Sequence, residues 1–225
     1  MATSVINVLY EDNHLLIVNK PAGILVQGDS TGDQPLVEVG KAYIKEKYKK
    51  PGAVFLGVVH RLDRPVSGVV VFARTSKALA RMNAQFRDKE TQKTYWALVD
   101  NKPPKAQGKL IHWLVKDEKK NKTAAYDTEI DEGKRSELDY KLVRQAGKSL
   151  LEVQPITGRP HQIRVQLASM GCPIVGDLKY GYPTPNQDGS ICLHARSLEF
   201  THPVTKEKML ITAELPDDQH WNPFR

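Results

Sequence analysis

The sequence has little sulfur and no long apolar run. Only two cysteines, Cys172 and Cys192, occur in 225 residues, and neither stands in a CxxC or Cys/His spacing, which argues against a disulfide framework and against a zinc site. No stretch of about 18 apolar residues is present, so no membrane-spanning helix and no membrane association are expected. The opening MATSVINVLYEDNH lacks the basic-then-apolar order of a secretion signal, and a cytoplasmic protein is the expectation. There is no internal repeat, no low-complexity segment and no Gly/Ser/Pro linker; Pro103-Pro104 and GYPTPNQDG at 181–189 are only loop-sized. Residues 1–225 therefore read as a single domain. With no P-loop, dinucleotide fingerprint or metal-ligand cluster, neither a metal nor a nucleotide cofactor is expected.

What is present is an ordinary soluble composition, 40% hydrophobic and 26% charged, with 33 Lys+Arg against 26 Asp+Glu for a net charge of +7. The excess is uneven. Residues 1–113 hold 17 basic and 10 acidic side chains; the remainder hold 33 − 17 = 16 and 26 − 10 = 16. A localised cationic excess points to an anionic partner such as a phosphate backbone.

Period-two segments dominate. Val5–Tyr10 and His14–Asn19 read as strands joined by a turn at Glu11-Asp12-Asn13, with Lys20-Pro21-Ala22-Gly23 ending the second. Residues 35–49 place Leu36, Val39, Tyr43 and Ile44 on one helical stripe opposite lysines. The continuous apolar run 68–73 reads as a strand buried on both faces. A helix follows to about Lys89, capped by Thr75 or Ser76, with Leu79, Met82 and Phe86 on one face. Residues 93–99 return to strand character, the lysine-rich stretch 116–122 reads as an exposed loop or hairpin end, and 140–144, 150–153, 191–194 and 209–213 read as further short strands. Many strands and few helices, without regular βαβ alternation, give an α+β fold.

Two segments concentrate chemistry. In His60-Arg61-Leu62-Asp63-Arg64, just before the buried strand, cationic neighbours hold Asp63 as a carboxylate, available as nucleophile or electrostatic stabiliser; an ordinary turn or ion-pair aspartate is the alternative. In Thr157-Gly158-Arg159-Pro160-His161-Gln162-Ile163-Arg164, Thr157 can cap a helix running to Met170. At about 100° per residue, Arg164 lies between Leu167 and Ala168, away from a wet face of Gln162, Gln166 and Ser169. A half-buried guanidinium needs a carboxylate or phosphate partner, unless its head snorkels to solvent. Arg159 and His161, near the helix start, can contact phosphate. Tyr95 and Trp96 alternate faces on one strand, and Tyr95 can be a core residue or stack on a base.

HRLDRPVSG at 60–68, KTYWALV at 93–99 and PITGRPHQIRVQLASMGCPIVGDLKYG at 155–181 resemble, in order, the three motifs of the RluA family of RNA pseudouridine synthases, and YEDNHLLIVNKPAGILVQ resembles that family's opening strand pair and Lys-Pro turn. The similarity covers Val5 to about Leu215. The resemblance implies the pseudouridine synthase fold, a mixed and largely antiparallel sheet with flanking helices and a central catalytic cleft. It also implies isomerisation of uridine in ribosomal or transfer RNA, on a flipped base, by a monomer. It makes Asp63 the catalytic aspartate, Tyr95 the tyrosine that packs on the base and Arg164 the basic partner of the aspartate. Arg61 would enter the RNA where the target nucleotide leaves, with His60, Arg64, Arg159 and His161 as further RNA contacts. Val66 stands where family members usually have Thr. Many relatives carry an N-terminal S4-like RNA-binding domain, and none is expected in these residues. The competing functions are a noncatalytic RNA-binding module and a glycosylase that would release free uracil.

Overall fold

The computed structural model describes residues 6–225; Met1–Val5, including the first residue of the expected opening strand, lie outside the described residues. Along the chain the elements are β1 (Val8–Glu11), β2 (Leu15–Lys20), α1 (Leu36–Lys47), β3 (Gly57–Val58), β4 (Ser67–Ala73), α2 (Ser76–Arg87), β5 (Gln92–Val99), β6 (Gln107–Asp117), β7 (Lys122–Tyr126), β8 (Lys134–Ala146), β9 (Lys148–Pro155), α3 (Gln162–Ser169), β10 (Leu193–Thr201) and β11 (Lys208–Thr212). Short 3-10 turns occupy Leu178–Tyr180 and Asn222–Phe224. The α+β class expected from the strand-rich pattern is what forms. The described residues pack as two compact units, one of residues 6–92 and 195–214 and one of 93–194 and 215–225.

In the first unit the order is β1-β2-β4-β10, with β11 on β10 and β3 also on β4. Asp12 makes the first hairpin: its Oδ1 accepts the N–H groups of His14 (2.8 Å) and Leu15 (2.7 Å). β4 is buried along all seven residues because both of its faces are covered. Val69 and Val71 join Leu15, Ile17, Leu198, Phe200 and Met82 of α2 in one cluster. Leu16, on the opposite face of β2, lies under α1, where a Cβ on Gly40 would run into Leu56 and come into contact with Leu16. α2 begins as expected, with Thr75 Oγ1 accepting Ala78 N–H at 3.1 Å. Its Gln85, absent from the expected apolar face, is buried and bonds both the carbonyl and the N–H of Thr201.

In the second unit the order is β5-β9-β8-β6-β7, antiparallel throughout. β6, eleven residues long, has no counterpart among the expected strands, and β8 is far longer than 140–144. The hairpin end at 118–121 is as expected. α3 begins at Gln162, not near Thr157 or Pro160, and the residue before it, His161, is in the left-handed region at φ 56°. Thr157 caps nothing: its Oγ1 accepts Glu137 N–H at 2.9 Å and donates to Gln162 Oε1 at 2.8 Å. Gln162 and Gln166 are buried, which overturns the wet face assigned to them. Gln162 Nε2 donates to the Glu137 carbonyl, and Gln166 Nε2 lies 3.0 Å from His112 Nδ1, so the β6–β8 strands cover that side of the helix.

Candidate active site

Asp63 sits in the first unit on the turn feeding β4, half-buried, and its carbonyl accepts Val66 N–H at 3.0 Å. Val66 is buried, so its apolar side chain anchors this turn by packing where the family's usual residue would bring a hydroxyl. The turn is bolted to the Lys20-Pro21 segment. Lys20 is fully buried, and its Nζ donates to the carbonyls of Pro21 (3.1 Å), Ile24 (2.8 Å) and Arg64 (3.2 Å). Gly23 N–H also donates to the Arg64 carbonyl, while Arg64 Nε returns a bond to the Gly23 carbonyl. Burial pushes the Lys20 ammonium down to about 7; the Asp63 carboxylate opposes this and the Arg64 charge adds to it. The sequence signal for Lys20 was only its place at a strand end.

Two residues expected to meet RNA are committed to the scaffold here. His60 Nε2 accepts Val71 N–H at 3.2 Å, and its ring stacks on Phe86 at 4.9 Å. Arg64 pairs with Asp33 at 2.7 Å in addition to its Gly23 bond. Arg61 is exposed.

The second unit holds Tyr95, Arg159, His161 and Arg164. Tyr95 lies on β5 opposite Val153, which in turn faces Tyr140, and is half-buried; Trp96 points to the other face, opposite Glu152. Arg164 is 5% exposed, deeper than the half-buried position read from helical spacing, because every residue from Gln162 to Leu167 is buried. Its Nε and Nη2 make a two-pronged ion pair with Asp177 Oδ2 (2.7 Å) and Oδ1 (2.8 Å), a carboxylate 1% exposed. Asp177 was missed in the sequence, although it is the only carboxylate between Glu152 and Asp188 and a buried arginine required one. Arg159 is exposed; its N–H donates to Gln162 Oε1 at 3.0 Å. His161 Nδ1 lies 2.7 Å from the Tyr180 hydroxyl.

Among the described residues no group of three His, Cys, Asp or Glu side chains is arranged to hold a metal ion, and no helix is long and apolar enough to cross a membrane. What the two units offer is a rigidly held carboxylate in one, and in the other a carboxylate-bound arginine, a half-buried tyrosine and a histidine.

The family model described as RNA pseudouridylate synthase matches residues 14–169. The ribosomal large subunit pseudouridine synthase C of Buchnera aphidicola subsp. Schizaphis graminum is 38% identical over 217 residues, 93% of this chain and 67% of that protein. The dual-specificity RNA pseudouridine synthase RluA of Haemophilus influenzae is 32% identical over 213 residues, 93% of each. The chain thus spans about two thirds of the length of the large-subunit relatives and nearly all of the dual-specificity one. Among solved structures, human RNA pseudouridylate synthase domain containing 4 superposes with a TM-score of 0.78 at 26% identity, covering 94% of this chain and 89% of that one.

Proposed function

The chain belongs to the RluA family of RNA pseudouridine synthases, and from that premise we propose that it isomerises uridine to pseudouridine in ribosomal or transfer RNA with Asp63, Tyr95 and Arg164 as its catalytic residues. The reaction balances within the nucleotide: the N1–C1′ bond breaks, the uracil turns, C5 joins C1′, and the proton lost from C5 is matched by one gained at N1. No redox partner enters. The target base must first leave its stack, at a cost of a few kcal/mol offset by contacts to the extruded nucleotide and its flanks.

The observation that carries this reading is the Asp63 turn. A nucleophilic or basic carboxylate must be held still while a base rotates beside it, and the buried Lys20 clamp, the Arg64–Gly23 bonds and the packed Val66 supply that stillness. Asp63 opens the reaction, either by attack on C1′ or by taking the C2′ proton of a glycal route. Tyr95 packs on the base and relays the C5 proton to solvent, its hydroxyl passing on its own proton as it takes one, or orients the water that takes it. Arg164, fixed by Asp177, supplies positive charge for the anionic steps. Arg61, Arg159 and His161 contact the RNA, whereas His60 and Arg64 act through the loop they brace. A monomer working in the cytoplasm completes the proposal.

Asp63→Asn keeps the shape of the side chain and removes its nucleophilic oxygen. Tritium release from 5-tritiated transcribed ribosomal RNA should vanish in this variant, with RNA affinity within about tenfold of the parent. Appreciable turnover by purified Asp63→Asn would falsify the assignment, and free uracil among the parent's products would convert the enzyme into a glycosylase. Pseudouridine maps of total RNA from a deletion strain and its parent would name the target.

A further inference from the structure

Tyr180, in the 3-10 turn Leu178–Tyr180, is 8% exposed and has no part in the chemistry above. Its contacts, all within the second unit, set it apart. The Arg164 guanidinium carbon stands 5.1 Å from the centre of its ring, while the edge of the same guanidinium is held by Asp177. The hydroxyl accepts Thr123 N–H at 2.9 Å and lies 2.7 Å from His161 Nδ1. Thr123 is itself fixed, its Oγ1 donating at 3.1 Å to the carbonyl of Pro160, the residue before His161.

Burial raises the Tyr180 phenol above its ordinary range, so it keeps its proton at neutral pH. With Thr123 N–H already on the oxygen, donation of that proton to His161 Nδ1 satisfies both groups, and it would leave the imidazole's own proton on Nε2. His161 adopts φ 56° and ψ 17°, a left-handed conformation that a non-glycine residue keeps where its surroundings impose it. Lys122 Nζ lies 5.8 Å from the centre of the same tyrosine ring and brings the cationic charge that a phosphate meets.

We propose that Tyr180 is a positioning residue of the synthase site, which seats Arg164 against its ring and fixes His161 as an Nε2–H donor to a phosphate oxygen of the RNA strand. This rests on the proposed RNA isomerisation. Tyr180→Phe keeps the ring and removes the hydroxyl; Tyr180→Leu removes both. Long-range proton–nitrogen NMR spectra of the histidine-labelled full chain distinguish the two imidazole tautomers, with His161→Gln assigning the signal. Steady-state tritium release from transcribed large-subunit ribosomal RNA and transfer RNA gives kcat and KM. The parent should show His161 in the Nε2–H form. Tyr180→Phe should lose that preference and raise KM by about tenfold, the effect of one hydrogen bond, with the loss falling on KM rather than kcat. Tyr180→Leu should lower kcat as well, because Arg164 loses its seat. A parent His161 protonated on Nδ1, or a Tyr180→Phe variant with the parent's tautomer and KM, overturns the proposal. Absence of turnover by the parent on both RNA classes refutes the isomerase reading instead, and the tautomer measurement needs no RNA.

Discussion

Lys20 concentrates the physics of the Asp63 turn in one side chain. An ammonium has three N–H donors, and three backbone carbonyls receive them in a site without solvent. Burial nevertheless brings its pKa to about 7, so the folded chain gives up a proton that the unfolded chain keeps to about 10.4. Between those values the unfolded state binds more protons, and the contribution of Lys20 to stability rises with pH across the window and is flat below it. Lys20→Met leaves three buried carbonyls without a donor and should cost about 1–3 kcal/mol in urea unfolding at pH 7. The difference between parent and variant should widen from pH 7 to pH 9; a narrowing would contradict the depressed pKa. At this scale the sequence was legible only in part. Arg164 was read as needing a carboxylate or phosphate partner, which it has, although the wet face set opposite it is buried too. Lys20 was not found, because its partners are carbonyls, which every residue has, and Asp177 was not found because a turn brings it back to α3 across 13 positions.

Elements with an unbroken apolar pattern were readable, since β4 is flanked on both faces and its run of Val69 to Ala73 records that directly. β6 was not, because its buried positions include His112 and its outward ones include Ile111, so neither face keeps a uniform character. The start of α3 was misplaced for a related reason: Thr157 and Pro160 satisfy the rules of a helix start, but Gln162 draws the preceding loop onto β8 and delays the helix. Gly68, at the head of β4, tests how tightly an element is fitted. Its φ is +117°, and an added Cβ would collide with the backbone of Ala195 in β10. Backbone cannot step aside as a flexible side chain can. Gly68→Ala should therefore lose about 3 kcal/mol or more, read as a lowered urea midpoint with unchanged slope. A loss below about 1 kcal/mol would mean that β4 and β10 are free to part.

On the scale of the whole molecule, the division into two units left no trace in composition because two of its three boundaries, 92/93 and 194/195, fall inside β5 and β10, where strand residues replace the Gly, Ser and Pro of a linker, and the third, 214/215, lies just past β11. The charge distribution, by contrast, was fully legible. All seven excess positive charges lie in residues 1–113, and Lys45, Lys49 and Lys50 at the end of α1 and just beyond it are exposed. For an enzyme proposed to act on RNA, such charges act by releasing counterions from phosphates, which makes affinity a function of salt. Each neutralised phosphate of a single strand contributes about −0.7 to the slope of log K against log salt. If each excess charge met one phosphate, about seven phosphates would give a slope of about −5. The Asp63→Asn variant, expected to be inactive, allows the measurement without turnover, by filter binding to a transcribed large-subunit ribosomal RNA between about 50 and 200 mM salt. A slope near zero would assign the affinity to base contacts and leave the basic excess without a role in binding. A steep slope that flattens when Lys45, Lys49 and Lys50 are changed together to Gln, with thermal stability preserved, would place the RNA backbone against the exit of α1.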